Sequence, residues 1–508
     1  MLKEYVIGID VGTSGTKTAL YDRNGKTVAG VTFDYPMMQP KNGWAEQNPE
    51  DWWVAASSGI KEMVKAAGDG KILAVGLTGQ MHGLVMLDVN CKVLRPAIIW
   101  CDQRTGKECE EIERRVTRER LIEITANPAL TGFTASKILW VRNNEPEVYE
   151  KCAHILLPKD YIRFKLTGEF ATDVSDASGM QLLDVGNRCW SDEVLRLLEI
   201  DRSLLGTVYE SPEVSGRVTD AASEITGLDA GIPVAAGAGD NAAAAVGTGT
   251  VTDSSAFTTI GTSGVVYMHT STPKIDPKGR VHTFCCAVPG EWHVMGVTQA
   301  AGLSLRWLRD TFCAEEQEEA KASGRDVYDV MCSMAEKSPI GADGLVYLPY
   351  LMGERTPHLD PNARGCFFGI SAVHGKKDFI RSVLEGVSYS LADCLGVFGE
   401  MGAAPVSMAA CGGGGSSPMW RKMLADIYDC PVSTVAPAEG PALGAAILGM
   451  VCCGMYGSVR EACEQIVRLS QTCVPSAEAH ERYMQIYGLY KELYPALRES
   501  YAKLSAVR

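Results

Sequence analysis

Short apolar runs broken by small-residue turns open this chain. Val6–Asp10, Lys17–Asp22 and Thr27–Phe33 read as strands, the last two joined by Asn24-Gly25, a hairpin-turn dipeptide. The period then changes. Asn48 can N-cap a helix, Pro49 suits its first position, and Glu50 and Asp51 complement its dipole, so a helix is predicted to Ala67 with Gly68 as its stop. Ile72–Leu77 reads as a buried strand, and Val85–Asp88 and Val93–Leu94 flank a turn at Asn90. Helices are expected over Ser136–Asn143 and Pro158–Leu166.

The second half repeats the theme. Strands are expected at Ala256–Ile260, Val265–His269 and Val406–Ala410. Helices are expected at Ala301–Phe312, Phe379–Gly399 and Met419–Tyr428, after Pro441, and over Ala477–Leu504. Strand–helix alternation with a hairpin at the start of each half predicts two α/β lobes with mixed sheets. The division is expected within Val246–Asp253, giving domains 1–248 and 249–508. Residues 440–459 carry no charge and are long enough for a bilayer, but five glycines, a proline and a serine predict a buried helix against a sheet instead.

Composition narrows the partners. The 508 residues are 46% hydrophobic and 22% charged, as in a globular protein too long for one core. The net charge of −14, with no basic stripe, excludes nucleic acid or an anionic membrane as the main partner. An anionic ligand must therefore be met locally, by glycine turns, helix N-termini and a metal. Seventeen cysteines, no CxxC pair and Asp10 inside the first apolar segment predict a chain without a secretory leader. They point to a reduced cytoplasm, with most cysteines as small buried hydrophobes and no structural metal site.

Candidate chemistry starts from a repeat. Gly12-Thr13-Ser14-Gly15 and Gly261-Thr262-Ser263-Gly264 each follow an apolar run, about half the chain apart. Small hydroxylated turns after a strand let backbone N–H groups approach a phosphate. Asp10 stands beside the first turn, where a carboxylate suits Mg²⁺ next to phosphates or, equally, a turn that bonds its own backbone. Asp240, in Gly237–Gly249, is a carboxylate in an apolar setting. It fits a general base toward a hydroxyl, or Asp240 or Asn241 N-caps the helix over Ala242–Val246.

Gly412, Gly413, Gly414 and Gly415 follow a strand and precede a helix, which suits a nucleotide lying on bare backbone and equally a plain connecting turn. No P-loop or Rossmann fingerprint is present. Gln80-Met81-His82-Gly83 offers hydrogen bonds to a polyhydroxylated ligand, although a lone turn histidine is as readily structural. Trp100-Cys101-Asp102 can supply a stacking indole and an acceptor, whereas Trp52, Trp53 and Trp140 fit the core.

These residues resemble the FGGY carbohydrate kinases, of the actin- and hexokinase-type ATPase superfamily. Gly8–Ser14 is similar to that family's first phosphate loop and Gly261–Gly264 to its second. Gly132–Trp140 and Gly365–Glu385 resemble the two family signatures. Gln80–Gly83, Gly239–Ala243, Leu157–Tyr161 and Gly353–His358 look like the branch acting on D-xylulose. Cys101 replaces the usual Asn after the tryptophan, and Gly415, Ser416 and Pro418 depart from the usual glycine loop.

The resemblance implies two ribonuclease-H-like lobes around a cleft, ATP as substrate with Mg²⁺, and phosphorylation of the ketopentose at O5. It assigns Asp240 as base, Asp10 to the metal, and Met81, His82, Asn241 and Trp100 to the sugar. Thr13, Ser14, Gly261 and Thr262 fall to the phosphates, Gly412–Gly415 to the adenosine. Partners would be the small molecules alone, with a homodimer compatible. Kinases of ribulose, fuculose, gluconate or glycerol, and a non-catalytic sugar sensor, are the alternatives.

Overall fold

The computed structural model describes residues 3–437 and 440–507. Its first sheet begins with the three runs that open the sequence, as β1 (Glu4–Val11), β2 (Gly15–Asp22) and β3 (Thr27–Asp34). They form an antiparallel meander because their connections are too short for a crossover. Helix α1 (Pro49–Ala67) is N-capped by Asn48, whose side chain accepts from the Glu50 N–H, and provides the crossover to β4 (Lys71–Gly79), parallel to β1.

Helices α2 (Thr134–Asn144), α3 (Pro158–Thr167) and α4 (Val174–Ser178) follow. Then come β5 (Val214–Arg217), β6 (Pro233–Ala235) and β7 (Ala238–Gly239), which runs into α5 (Asp240–Gly247). The strand order is β5-β6-β4-β1-β2-β3, with β7 also on β4.

The second sheet repeats this plan. Its antiparallel part is β8 (Ser255–Ile260), β9 (Gly264–Thr270), β10 (His282–Cys285) and β11 (Trp292–Thr298), with β11 inserted between β9 and β10. Helices α6 (Gly302–Phe312) and α7 (Lys376–Glu400) lead to β12 (Ser407–Cys411), parallel to β8. After α8 (Gly412–Ser416) and α9 (Pro418–Tyr428), β13 (Val432–Ala436) adds in parallel. The order is β10-β11-β9-β8-β12-β13, closed by β14 (Arg468–Cys473). A long helix (Ala477–Val507) ends the chain.

Helix α10 (Gly440–Cys452) lies between the sheets' territories. It comes from the second half but buries Leu443, Ala446 and Ile447 against Val6 and Ala74 of the first sheet and against α5. Glycine permits that approach: a Cβ on Gly76 would meet the Ala445 carbonyl oxygen at 1.7 Å, and one on Gly444 the Ala243 oxygen at 1.8 Å. Of the glycines that argued against a membrane span, Gly444 and Gly449 are packing residues, whereas a Cβ on Gly440 or Gly454 would meet no atom within 4 Å. Among the described residues no helix is long and apolar enough to cross a membrane.

Local differences from expectation are few. Val93 makes an isolated bridge to Leu87 rather than a strand. The glycine turn expected at Gly412–Gly415 is itself a short helical segment, Gly412–Ser416. Pro418 occupies the first turn of α9, behind the Ser417 cap, a position that needs no N–H. The cysteines are less uniformly buried than expected: seven are buried, nine half-buried and Cys189 exposed, all as free thiols.

Candidate active site

Parallel pairing brings the candidate carboxylates to one edge of the first sheet. Asp10 on β1 and Ala238 on β7 both lie opposite Thr78 of β4, and Gly239 lies opposite Gly79. Asp10 and the first residue of α5, Asp240, thus flank the carboxyl end of β4, two strand intervals or about 10 Å apart. This is where open α/β sheets place ligands.

Burial pushes the Asp10 carboxyl up to about 7; Asp240 adds to the rise and Lys17, directly across on β2, opposes it. Burial also raises Asp240 to about 6, against the lowering pull of Asn241. The Asn241 backbone N–H and side-chain amide donate to Asp240 Oδ1 at 2.7 and 3.0 Å. The N-cap expected at Asp240 or Asn241 is not there. Gly239 is the cap residue, and Asp240 stands at the first helical position with its second oxygen uncommitted by any described bond.

Gln80, Met81 and His82 extend from the end of β4. Gln80 belongs to the supporting network: its Nε2 donates to Gln47 Oε1 at 2.8 Å, and Gln47 Nε2 donates to the Thr13 carbonyl at 2.7 Å. Met81 packs in a wall with Phe133 from the first half and Phe284 and Met295 from the second. His82 has a φ of +66°. Its Nδ1–H donates to the Gly179 carbonyl at 2.8 Å, leaving Nε2 as an acceptor. Burial, and then the Lys137 ammonium, hold it well below the usual histidine range, so the ring is neutral. Lys137 in turn donates to the His82 and Gly132 carbonyls at 2.8 and 2.7 Å.

Trp100 and Asp102 both make hydrogen bonds within the protein. Trp100 donates its indole N–H to Thr13 Oγ1 at 2.9 Å. Asp102 is fully buried, with Arg104 and the Ala45 N–H as its partners. Trp52, Trp53 and Trp140 are core residues, as their helical positions suggested.

The first glycine turn closes through Gly12 N–H to the Gly15 carbonyl, and Tyr35 Oη donates to the Gly12 carbonyl at 2.6 Å. Ser14 is exposed, whereas the Thr13 hydroxyl is engaged by Trp100 and, at 3.5 Å, Gln80. In the second turn the Gly261 N–H closes on the Ser263 carbonyl at 3.0 Å, so Thr262 and Ser263, both exposed, are what that turn offers.

The second turn and the glycine helix share one cavity of about 450 Å³. Gly261, Thr262, Gly413 and Gly414 line it together with Gly302, Arg306, Asp326 and Tyr328. Gly412 and Gly415 support this wall from behind: a Cβ on Gly412 would meet the Ile260 carbonyl at 2.7 Å, and one on Gly415 the Ala410 carbonyl carbon at 2.7 Å. The last four lining residues carried no local sequence signal, because α6 and the following loops reach the cavity only through the fold.

Asp10 fits a divalent cation by its chemistry. Mg²⁺ takes one or two carboxylates, water and phosphate oxygens, and the raised Asp10 group beside Asp240 is a pair of carboxylates whose repulsion a cation relieves. Among the described residues no cluster of three His, Cys, Asp or Glu side chains forms an all-protein metal site.

Both halves of the chain match known proteins. The family model "FGGY family of carbohydrate kinases, N-terminal domain" matches residues 5–247, and its C-terminal counterpart matches residues 256–453. Xylulose kinase of Bacillus subtilis is 38% identical, covering 99% of both chains. That of Escherichia coli is 40% identical, covering 97% of this chain and 99% of its own. The ligand-bound xylulose kinase structure from Lactobacillus acidophilus superposes with a TM-score of 0.91 at 29% identity, over 99% of this chain and 100% of its own. Two sheets of one plan, a glycine turn in each and matches across both halves make this chain a sugar kinase that belongs to the FGGY family of carbohydrate kinases.

Proposed function

We propose that this enzyme transfers the γ-phosphoryl group of ATP to O5 of D-xylulose, giving D-xylulose 5-phosphate. The observation that carries the reading is the pairing of a base with a sugar anchor. Asp240, with a raised pKa and one uncommitted oxygen, and neutral His82, with a free Nε2, project from the ends of neighbouring strands. Full-length relatives that are xylulose kinases support the choice of sugar.

Phosphoryl transfer runs through a loose transition state, so positioning and charge stabilisation supply most of the catalysis. Asp240 accepts the O5 proton as the oxygen attacks. His82 Nε2 accepts a sugar hydroxyl, and Met81 with Phe133 and Phe284 gives an apolar wall. Asn241 holds Asp240 and borders the sugar, and Trp100 acts through Thr13. Ser14 and Thr262 approach the phosphates from opposite lobes, and Gly413 and Gly414 border the adenosine. Asp10 would hold Mg²⁺ through water, which would neutralise charge on the β- and γ-phosphates. Closure of the lobes excludes water from the transfer.

We divide the chain functionally into 1–248 and 249–508, with α10 as a clasp from the second part onto the first. Seventeen free thiols suit a reducing cytoplasm. A coupled ADP assay over D-xylulose, D- and L-ribulose, L-fuculose, D-gluconate and glycerol tests the reading, with the product phosphate located by NMR. D-xylulose should give the highest kcat/KM and a 5-phosphate; a higher value for another acceptor overturns the choice of sugar.

A further inference from the structure

Leu157–Tyr161 resembles the family, yet no residue of it touches the cleft chemistry described so far. Its Lys159 is fully buried beneath the carboxyl end of β4, beside Gly79. The ammonium lies 2.7 Å from Asp160, 2.8 Å from Asp173 and 3.1 Å from Asp176, with Arg163 also bonded to Asp160. All five side chains are at most 1% exposed. Burial beside Asp160 and Asp173 raises Asp176, which brings the cluster toward neutrality. Such a cluster is costly to bury and adds little stability over apolar packing, so its connections are informative.

Those connections lead to both functional side chains. Asp173 Oδ2 accepts the Ser175 hydroxyl at 2.5 Å and the Ser175 N–H at 2.8 Å, capping α4. The Ser175 oxygen in turn accepts the N–H of Gly239 at 3.1 Å, one residue before Asp240. Ser211 donates to the same Asp173 oxygen at 3.1 Å, and its carbonyl accepts the Gly237 N–H at 2.9 Å. Arg163 donates to the Ala236 carbonyl at 3.0 Å. At the far end of α4, the Asp176 carbonyl accepts the Gly179 N–H at 3.0 Å, and the Gly179 carbonyl accepts His82 Nδ1–H.

We propose that Ser175 is a positioning residue: its hydroxyl, held by the buried Lys159–Asp173 pair, fixes the backbone from which Asp240 projects, while the other end of the same short helix fixes His82. The base and the sugar anchor are thereby set from one rigid point. The inference rests on Asp240 as the base.

Ser175→Ala removes the link to Gly239 and leaves the ion cluster intact. It should lower kcat by about 10- to 100-fold, the scale of a small misplacement of a reacting group, with KM for ATP and for D-xylulose each within about threefold. Ser175→Cys, close in volume with a weak sulfur partner, should fall between wild type and Ala, and it carries the same reading if the alanine variant does not fold. Wild-type kcat in a folded Ser175→Ala or Ser175→Cys protein overturns the proposal, as does a rise in both KM values with kcat unchanged. Asp240→Asn run in parallel separates the causes. If it abolishes turnover while Ser175→Ala is silent, only the positioning role fails; if it keeps near-full kcat, the base assignment fails and this inference with it.

Discussion

The indole N–H of Trp100 donates to Thr13 Oγ1 at 2.9 Å. Trp100 is therefore fastened to the first glycine turn, and Gln80 reaches the same hydroxyl from just past the end of β4. Trp100→Phe keeps an aromatic face, smaller than the indole, and deletes the bond. Losing one such hydrogen bond is worth about 1 kcal/mol, so KM should rise about fivefold for ATP and for D-xylulose together. Steady-state kinetics with each substrate varied in turn checks this; a rise confined to the sugar would point to direct stacking instead.

Asp240→Asn should cut kcat by ~10²–10⁴-fold, the usual worth of a positioned base, while isothermal titration still detects sugar binding. A base at Asp240 would act in its carboxylate form. With its pKa raised to about 6 by burial, activity should be full above that pH and fall as pH drops through it. A kcat/KM profile between pH 5 and 8 reads this limb.

The glycine helix gives a paired test. A Cβ on Gly412, whose φ is +74°, would strike the Ile260 backbone, whereas one on Gly413 meets no atom within 4 Å. Gly412→Ala should raise KM for ATP at least tenfold and leave KM for D-xylulose within about twofold; the tenfold corresponds to about 1.4 kcal/mol, within the range for backbone strain. Gly413→Ala should be nearer wild type in both. Fluorescent ADP-analogue binding reports the same contrast without turnover.

His82→Ala should raise KM for D-xylulose about tenfold or more, the loss of one buried acceptor, with KM for ATP changed far less. Equal changes in both would mark the ring as purely structural.

Stability should carry a signature of His293. This ring is 1% exposed, stacks on Tyr267 at 4.2 Å, and is held down to about 3 by burial, with His269 and His282 adding to the effect. Its folded pKa lies below the unfolded value of about 6.5. The neutral form therefore stabilises the fold fully above pH 6.5, and that contribution is lost as pH falls toward 3, by about 1.4 kcal/mol per unit. Urea midpoints measured from pH 7 to 4 should fall less steeply for His293→Phe than for the wild type.

The strands beside each glycine turn, the Asn48 cap of α1 and the body of α9 from Met419 were legible because each depends on neighbours a few residues away. So was the buried nature of Gly440–Cys452, whose composition is too glycine-rich for lipid. The partners of these pieces were not legible. Nothing local reveals that Thr13 takes the Trp100 N–H, because the two residues lie far apart in the chain. Asp240 read as a possible cap because capping depends on backbone geometry that one residue's shift changes.

Sequence alone determined the two lobes, their turns and the family, since hydrophobic period, turn chemistry and motif spacing are short-range properties. Only the tertiary structure decided that Asp10 and Asp240 flank one strand end. It also joined Gly261 to Gly413 in one cavity, sent α10 back to the first sheet, and set Lys159 behind Asp240 and His82. Those relations join residues far apart in the chain. They are set by sheet register and by which surfaces close together, and neither is written in any local window of the sequence.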